Sequence, residues 1–175
     1  MHSDGGCASI KGKGRVSSIG VFWGNESPFN LSAICGHPPF TNQRAELEAI
    51  LAAVTSASAR GITTLILCSD SSYAVKGLTE YSPEWKKQYF EGEELYHYYN
   101  RNGQELANGD LFAQIAANMI IQYEHVPRAQ NKEADALASA AMTKEIAAQI
   151  SVVRTRSQYP VEVEEDTNDH QVPKL

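Results

Sequence analysis

The run from Thr63 to Ser69 (TTLILCS) is uncharged, apolar and of strand length, with Asp70 directly after it. Such a run predicts a strand buried on both faces, the kind found inside a layered α/β sheet. The rest of the chain fits around it. Residues 17–24 (SSIGVFWG) set Ile19, Val21 and Trp23 against Ser18, Gly20 and Phe22, and residues 31–36 (LSAICG) are a second short apolar run between turn-forming clusters. Both read as antiparallel strands. From Gln43 to about Ala57 the apolar Leu47, Ile50, Leu51 and Val54 fall at helical spacing, with Thr41 or Asn42 as N-cap.

Beyond Asp70 a short helix is expected over 71–78. The polar, aromatic stretch 80–107, which holds Trp85, Tyr89, Phe90, Tyr96, Tyr98 and Tyr99, predicts a protruding helix and loop. Residues 109–118 read as a helix, 119–126 as a strand, and 131–148 as a last helix capped by Asn131. This order predicts an α/β fold with a mixed sheet. After Ile150 come Pro160, Pro173 and the acidic run Glu162 to Asp166, so the expected division is one domain over 1–148 and a disordered acidic tail over 149–175.

Composition narrows the function classes. A chain of 175 residues, 42% hydrophobic, suits a globular domain, and no apolar run approaches the ~18 residues of a membrane span, so no membrane partner is expected. Cys7, Cys35 and Cys68 are odd in number and form no CxxC pair. That argues against a disulfide frame or zinc site and for a reducing, intracellular compartment, nucleus or cytoplasm. No signal or transit sequence precedes the first motif.

The net charge of −6 is a poor prior for a protein that grips nucleic acid, because Lys and Arg contacts to phosphate dominate such affinity. Residues 1–150 carry 12 basic and 16 acidic side chains, a formal charge of −4 that two bound divalent ions would cancel. Lys11, Lys13 and Arg15, and Lys86 with Lys87, would then supply local phosphate contacts.

Four carboxylates stand where a sheet would gather them: Asp4 in Ser3-Asp4-Gly5-Gly6-Cys7, Glu46 on the first helix, Asp70 after the apolar strand, and Asp135 early in the last helix. Hard divalent cations such as Mg²⁺ take oxygen ligands of this kind. Each also has a bland reading: Asp4 as a turn residue, Asp70 as a helix cap, Asp135 as a complement to a helix dipole. Helical periodicity places Glu46 and Glu48 at opposite edges of the apolar face and does not choose between them.

Around these residues the chain resembles cellular type 1 ribonuclease H over roughly residues 1–145. Ser3-Asp4-Gly5-Gly6-Cys7 is similar to that family's first-strand motif, and Thr41-Asn42-Gln43-Arg44-Ala45-Glu46-Leu47 to its helix motif, which selects Glu46. Cys68-Ser69-Asp70-Ser71 and Asn131-Lys132-Glu133-Ala134-Asp135-Ala136-Leu137-Ala138 resemble the third and fourth elements, in the same order. The resemblance implies the ribonuclease H-like fold, a five-stranded mixed sheet flanked by helices. It also implies an endonuclease that hydrolyses the RNA strand of an RNA/DNA hybrid with two Mg²⁺ ions, Mn²⁺ being an alternative. Asp4 would bridge both ions and Glu46, Asp70 and Asp135 would complete the site, with products ending in 5′-phosphate and 3′-hydroxyl.

Substrate contacts carried over in the same way are Cys7, Ser9, Asn42 and Gln43 along the ribose 2′-hydroxyls and minor groove. Tyr73, Tyr81 and Trp85 would flank the DNA strand, and Thr41 and Asn108 belong to its phosphate pocket. Lys86 and Lys87 lie on the basic, tryptophan-bearing protrusion, where a plain solvated face is the bland alternative. The protein is expected to act as a monomer on the hybrid.

Three departures accompany the resemblance. The family's first strand begins several residues earlier, so Met1 to Ser3 cannot supply its first half. The expectation is either a longer parent chain or a sheet with lost ladder bonds. The loop before the last helix, Pro127-Arg128-Ala129-Gln130, is short and has no histidine; Arg128 is the candidate to contact the scissile phosphate, and His125 is read as structural. Pro39 and Ile10 stand where relatives often have phosphate-binding Arg and substrate-contacting Asn. These departures keep two alternatives open, a weakly active or inactive hybrid-binding module and a ribonuclease H segment of a retroelement polyprotein.

Overall fold

The apolar run becomes strand β4 (Thr64–Ser69), and its neighbours decide which of its side chains are covered. A computed structural model describes residues 1–158 except Lys13, His37, Asn118 and Met119; the side chains of Ile120 and of 150–158 are not described. Lys13, expected among the phosphate contacts, therefore lies outside the described residues, as does the 159–175 part of the tail expected over 149–175.

Strands β1 (His2–Ile10), β2 (Gly14–Phe22) and β3 (Leu31–Ile34) form an antiparallel meander, and β4 and β7 (Ile120–His125) join it in parallel. The five-stranded mixed sheet has the order β3-β2-β1-β4-β7. Helix α1 (Asn42–Ser58) lies on one face over β1 and β2, with α3 (Gly109–Ala116) beside it, and α4 (Lys132–Gln158) crosses β1, β2 and β3 on the other. Between α1, α3 and the sheet sits the main core, built on Val21, Leu47, Ile50, Leu67, Phe112 and Ile115.

Helix α1 starts where capping chemistry places it: Thr41 is in extended conformation and its Oγ1 accepts the Arg44 amide at 3.1 Å. Both broad faces of β2 are covered, and Gly20 shows how closely. A Cβ there would stand 2.2 Å from the Ala134 carbonyl oxygen of α4 and 2.6 Å from the Ala138 nitrogen. Only glycine lets that helix backbone settle onto the strand.

The structure corrects three expectations. Strand β4 is not buried on both faces: Leu65 and Leu67 enter the core, but Ile66 is 49% exposed. The cause is coverage, since α4 lies across β1 to β3 and leaves that side of β4 open. On its β1 side β4 shares one register pair, His2 with Cys68, next to which the Cys68 amide donates to Met1 O at 2.9 Å and the terminal ammonium donates to Ile66 O at 3.2 Å.

Second, 80–107 does not form the expected protruding α-helix. Helix α2 (Ser72–Lys76) passes into a π turn, Gly77–Tyr81, and a 3-10 turn, Ser82–Glu84, and then into a two-stranded ribbon of β5 (Lys86–Gln88) and β6 (His97–Tyr99). A period of two decides the form: Tyr98 turns inward, 1% exposed, while His97 and Tyr99 are only half-buried. Third, α4 continues past the expected boundary at 148 to Gln158, through a stretch with no glycine or proline before Pro160.

Replacing Gly20 with Ala is expected to lower stability by about 1–3 kcal/mol, because α4 or the sheet must move away from the added methyl. Urea denaturation reads this directly, and an unchanged midpoint would show that the α4 contact yields without cost.

Candidate active site

Four elements bring the acidic residues to one place. On β1, Asp4 pairs with Gly20 of β2 and is 6% exposed. Gly5, the next residue, faces α1: a Cβ there would lie 2.2 Å from the Ala45 carbonyl carbon and 2.4 Å from the Glu46 nitrogen. With no side chain in the way, helix and strand meet backbone to backbone, and the Gly5 amide donates to Glu46 Oε2 at 3.1 Å. Glu48 turns elsewhere and pairs with Arg44 Nε at 3.1 Å. Geometry thus separates the two glutamates that periodicity left equivalent.

Asp70 follows β4, as expected from the end of the apolar run. Its carboxylate meets those of Asp4 and Glu46, with one oxygen of each lying within 4.8 Å of the others. Asp135, in the first turn of α4, lies outside that triad and is ion-paired with Arg128. The same groove, of about 400 Å³, is lined by Asp4, Glu46, Asp135, Arg128, Cys7 and Asn42 among others.

Electrostatics make this cluster costly without a cation. Burial, followed by the charges of Asp70 and Asp135, raises Asp4 to about 7. Burial and the charges of Asp4 and Asp70 raise Glu46 to about 8, against the opposing pull of the Gly5 amide and Arg128. A hard divalent ion among these oxygens would reverse both effects, and the all-carboxylate donor set suits Mg²⁺ or Mn²⁺. Arg128 is a weak substitute, since its side chain is 76% exposed and already engaged by Asp135.

The substrate-side residues divide into those at the groove and those beside it. Cys7 lies in the groove with its thiol donating to Phe40 O at 3.3 Å; Ser9, Asn42 and Gln43 are exposed on β1 and at the start of α1. Thr41 and Asn108 are linked through Arg44. Asn108 has a left-handed backbone (φ 61°), donates from Nδ2 to Tyr73 Oη at 3.2 Å and accepts from Arg44 Nη1 at 3.5 Å. Arg44 is also held by Asp110, with Nη2 to Oδ2 at 2.8 Å, and by Glu48. Periodicity gave no hint of this network.

Tyr81 and Trp85 line a separate hollow of about 220 Å³ with Glu84, Asn100 and Arg101. Trp85 also packs edge-on against Phe112 and Tyr98, with centroids at 4.9 and 5.1 Å, so it joins the ribbon to the core. Tyr73 makes a similar edge contact with Phe112. Lys86 and Lys87 are both exposed, and the Lys87 ammonium lies over the Tyr96 ring at 4.6 Å.

His125 closes β7 and lies 3.2 Å from the Asp70 carbonyl through Nε2, a backbone contact. Two further residues were not singled out for the site by sequence. Asn131, expected only as a helix cap, is fully buried and turns its side chain into the sheet, where Nδ2 donates to Asp70 Oδ1 at 2.7 Å. His2 Nδ1 lies 3.3 Å from Asn131 Oδ1. Capping chemistry could flag Asn131 as a helix start, but not the direction of its side chain.

The raised carboxyls give a signed pH dependence. Ordinary values near 3.8 and 4.5 become about 7 and 8 on folding, so the folded protein binds more protons between about pH 4 and 8 and loses stability as pH rises through that window. Mg²⁺ prefers the ionised cluster, so its stabilising effect should grow over the same range. Thermal unfolding in chelator is expected to show a melting temperature falling from pH 5 to 8, with Mg²⁺ restoring it most at the alkaline end. A chelator profile flat in pH would contradict the assigned electrostatics.

Comparison with known proteins gives the family. The RNase H family model matches residues 1–143. The chain is 33% identical over 146 residues to ribonuclease H1 of Rattus norvegicus, covering 79% of this chain and 48% of that one. It is 34% identical over 145 residues to ribonuclease H of Schizosaccharomyces pombe, covering 79% and 50%. The chain therefore spans about half the length of these curated relatives. A crystal structure of LC11-RNase H1 in complex with RNA/DNA hybrid shares the fold with a TM-score of 0.54 at 21% identity, covering 83% of this chain and 96% of that one. With motif order, sheet topology and family model in agreement, the chain belongs to the RNase H family.

Proposed function

We propose that this domain is an endonuclease that hydrolyses the RNA strand of RNA/DNA hybrids with two divalent ions, leaving 5′-phosphate and 3′-hydroxyl ends. The observation that carries the reading is the meeting of Asp4, Glu46 and Asp70 within 4.8 Å at a groove that also holds Cys7 and Asn42. Asp4, Glu46 and Asp70 would hold the ions, with Asp135 beside them. When bound, a pair of Mg²⁺ ions supplies an activated water for attack on phosphate and a counter-charge for the leaving oxygen.

The chain's own residues supply position and selectivity. The Gly5 amide orients Glu46, and the β1–β2 ladder sets Asp4 opposite Gly20. Asn42, Gln43, Ser9 and the backbone around Cys7 present polar groups to ribose, whose 2′-hydroxyl distinguishes RNA from DNA. Thr41, Asn108 and Tyr73, joined through Arg44, offer donors to the DNA phosphate, and Tyr81 with Trp85 an aromatic wall. Arg128, paired with Asp135 at the rim of the groove, would contact the scissile phosphate.

Labelled RNA/DNA hybrid, RNA duplex and DNA duplex, each incubated with Mg²⁺, form the primary test. Cutting restricted to the RNA of the hybrid is expected, and Asp4→Asn or Asp70→Asn should reduce it by about 10³-fold or more, the scale associated with losing a principal charge-stabilising group. Equal cutting of DNA duplex would reject the substrate, and hybrid binding without cutting would favour a binding module. Arg128→Ala is expected to slow turnover by about tenfold, as for loss of one charged contact near the phosphate; an unchanged rate removes it from the reaction.

A further inference from the structure

One buried amide beside the carboxylates has both of its N–H donors committed. Asn131 is 0% exposed, and its Nδ2 donates to Asp70 Oδ1 at 2.7 Å and to the Ser3 carbonyl at 3.0 Å. Both amide protons are thereby spent on acceptors. Oδ1 is left toward His2 Nδ1 at 3.3 Å, so the imidazole must carry its proton on Nδ1 and donate. Turning the amide over would set its oxygen against a carboxylate and a carbonyl, which rules out the reverse arrangement.

The backbone of Asn131 extends the connection. Its amide donates to Arg128 O and its carbonyl accepts from the Asp135 amide, each at 3.0 Å. One residue therefore touches the strand next to Asp4, the carboxylate of Asp70 and the helix start that carries Asp135. Asp70 is gripped at its other end as well, where its carbonyl lies 3.2 Å from His125 Nε2. The Nδ2 donor on Oδ1 thus sets the direction of a carboxylate that lies close to those of Asp4 and Glu46.

We propose that His2 and Asn131 are positioning residues for the metal site: His2 fixes the amide, and the amide holds Asp70 in the orientation that an incoming divalent ion requires. The inference rests on the metal-dependent reading above. Its physical basis is that donors behind a metal ligand set the ligand's direction, and a charge-assisted hydrogen bond does so strongly.

The test is Mn²⁺ titration of the metal-free full chain by calorimetry, together with the Mg²⁺ concentration for half-maximal hybrid cleavage and KM for hybrid at saturating Mg²⁺. His2→Phe and Asn131→Ala are expected to weaken Mn²⁺ binding and raise the Mg²⁺ requirement by about tenfold, with KM for hybrid within about twofold of wild type. His2→Gln, which retains an N–H donor, should recover most of the loss. A residue that only supported the fold would lower the melting temperature and leave metal affinity unchanged. If Asn131→Ala fails to fold, the half-buried His2 position decides. Unaltered Mn²⁺ affinity in folded His2→Phe overturns the positioning role while leaving the nuclease reading intact; a wild-type protein that binds no Mn²⁺ overturns both.

Discussion

The approach of α1 to β1 at Gly5 is the contact on which the candidate site depends. A helix normally stands off a sheet by the length of its side chains, but here the Ala45 carbonyl carbon lies 2.2 Å from where a Cβ of residue 5 would be. That closeness lets the Gly5 amide reach Glu46 and brings a carboxylate from a helix to one on a strand. Gly20 does the same on the opposite face for α4, the helix that carries Asp135. Two absent methyl groups thus set how closely α1, with Glu46, and α4, with Asp135, approach the strand that carries Asp4.

Bringing those carboxylates together opposes their own electrostatics. Burial raises both Asp4 and Glu46, followed by the charges of Asp70 and Asp135 for the first and of Asp4 and Asp70 for the second, and Arg128, which opposes this, is largely exposed and occupied by Asp135. Such an arrangement is at odds with stability considered alone and consistent with a site shaped for a multivalent ion. It also bears on the net charge: residues 1–150 carry 16 acidic and 12 basic side chains, and the excess of four equals the number of carboxylates gathered at or beside this groove. The buried Asn131 amide, which ties Asp70 to the Ser3 carbonyl, resists the spreading that repulsion would otherwise cause.

Beside the groove, aromatic packing and ion pairing shape the surface proposed for the DNA strand. Trp85 joins the β5–β6 ribbon to Phe112, so the ribbon is anchored on the core even though its tip is exposed. Arg44 is an instance of a cation that sequence alone would misjudge. Its guanidinium is neutralised by Asp110 and Glu48, and its contribution is to connect Asn108 with the helix that begins at Thr41.

Much of this was legible in the sequence because it is local. Period-two and helical patterns, the cap at Thr41 and the acidic motifs depend on residues close together in the chain, so strand, helix and candidate ligand identities could be read there. The exposure of Ile66 was not legible, because it follows from where a distant helix ends its crossing of the sheet. Nor was the form of 80–107, where the burial of Tyr98 selects ribbon over helix. The choice of Glu46 over Glu48 needed either resemblance or the Gly5 contact. His2 and Asn131, at opposite ends of the chain, meet only after β1 and α4 pack together. Sequence by itself determined the elements and the chemical character of the site, since both follow from short-range preference and residue type. Tertiary structure alone decided which oxygens converge and which side chains orient them, because those relations are distances across the fold.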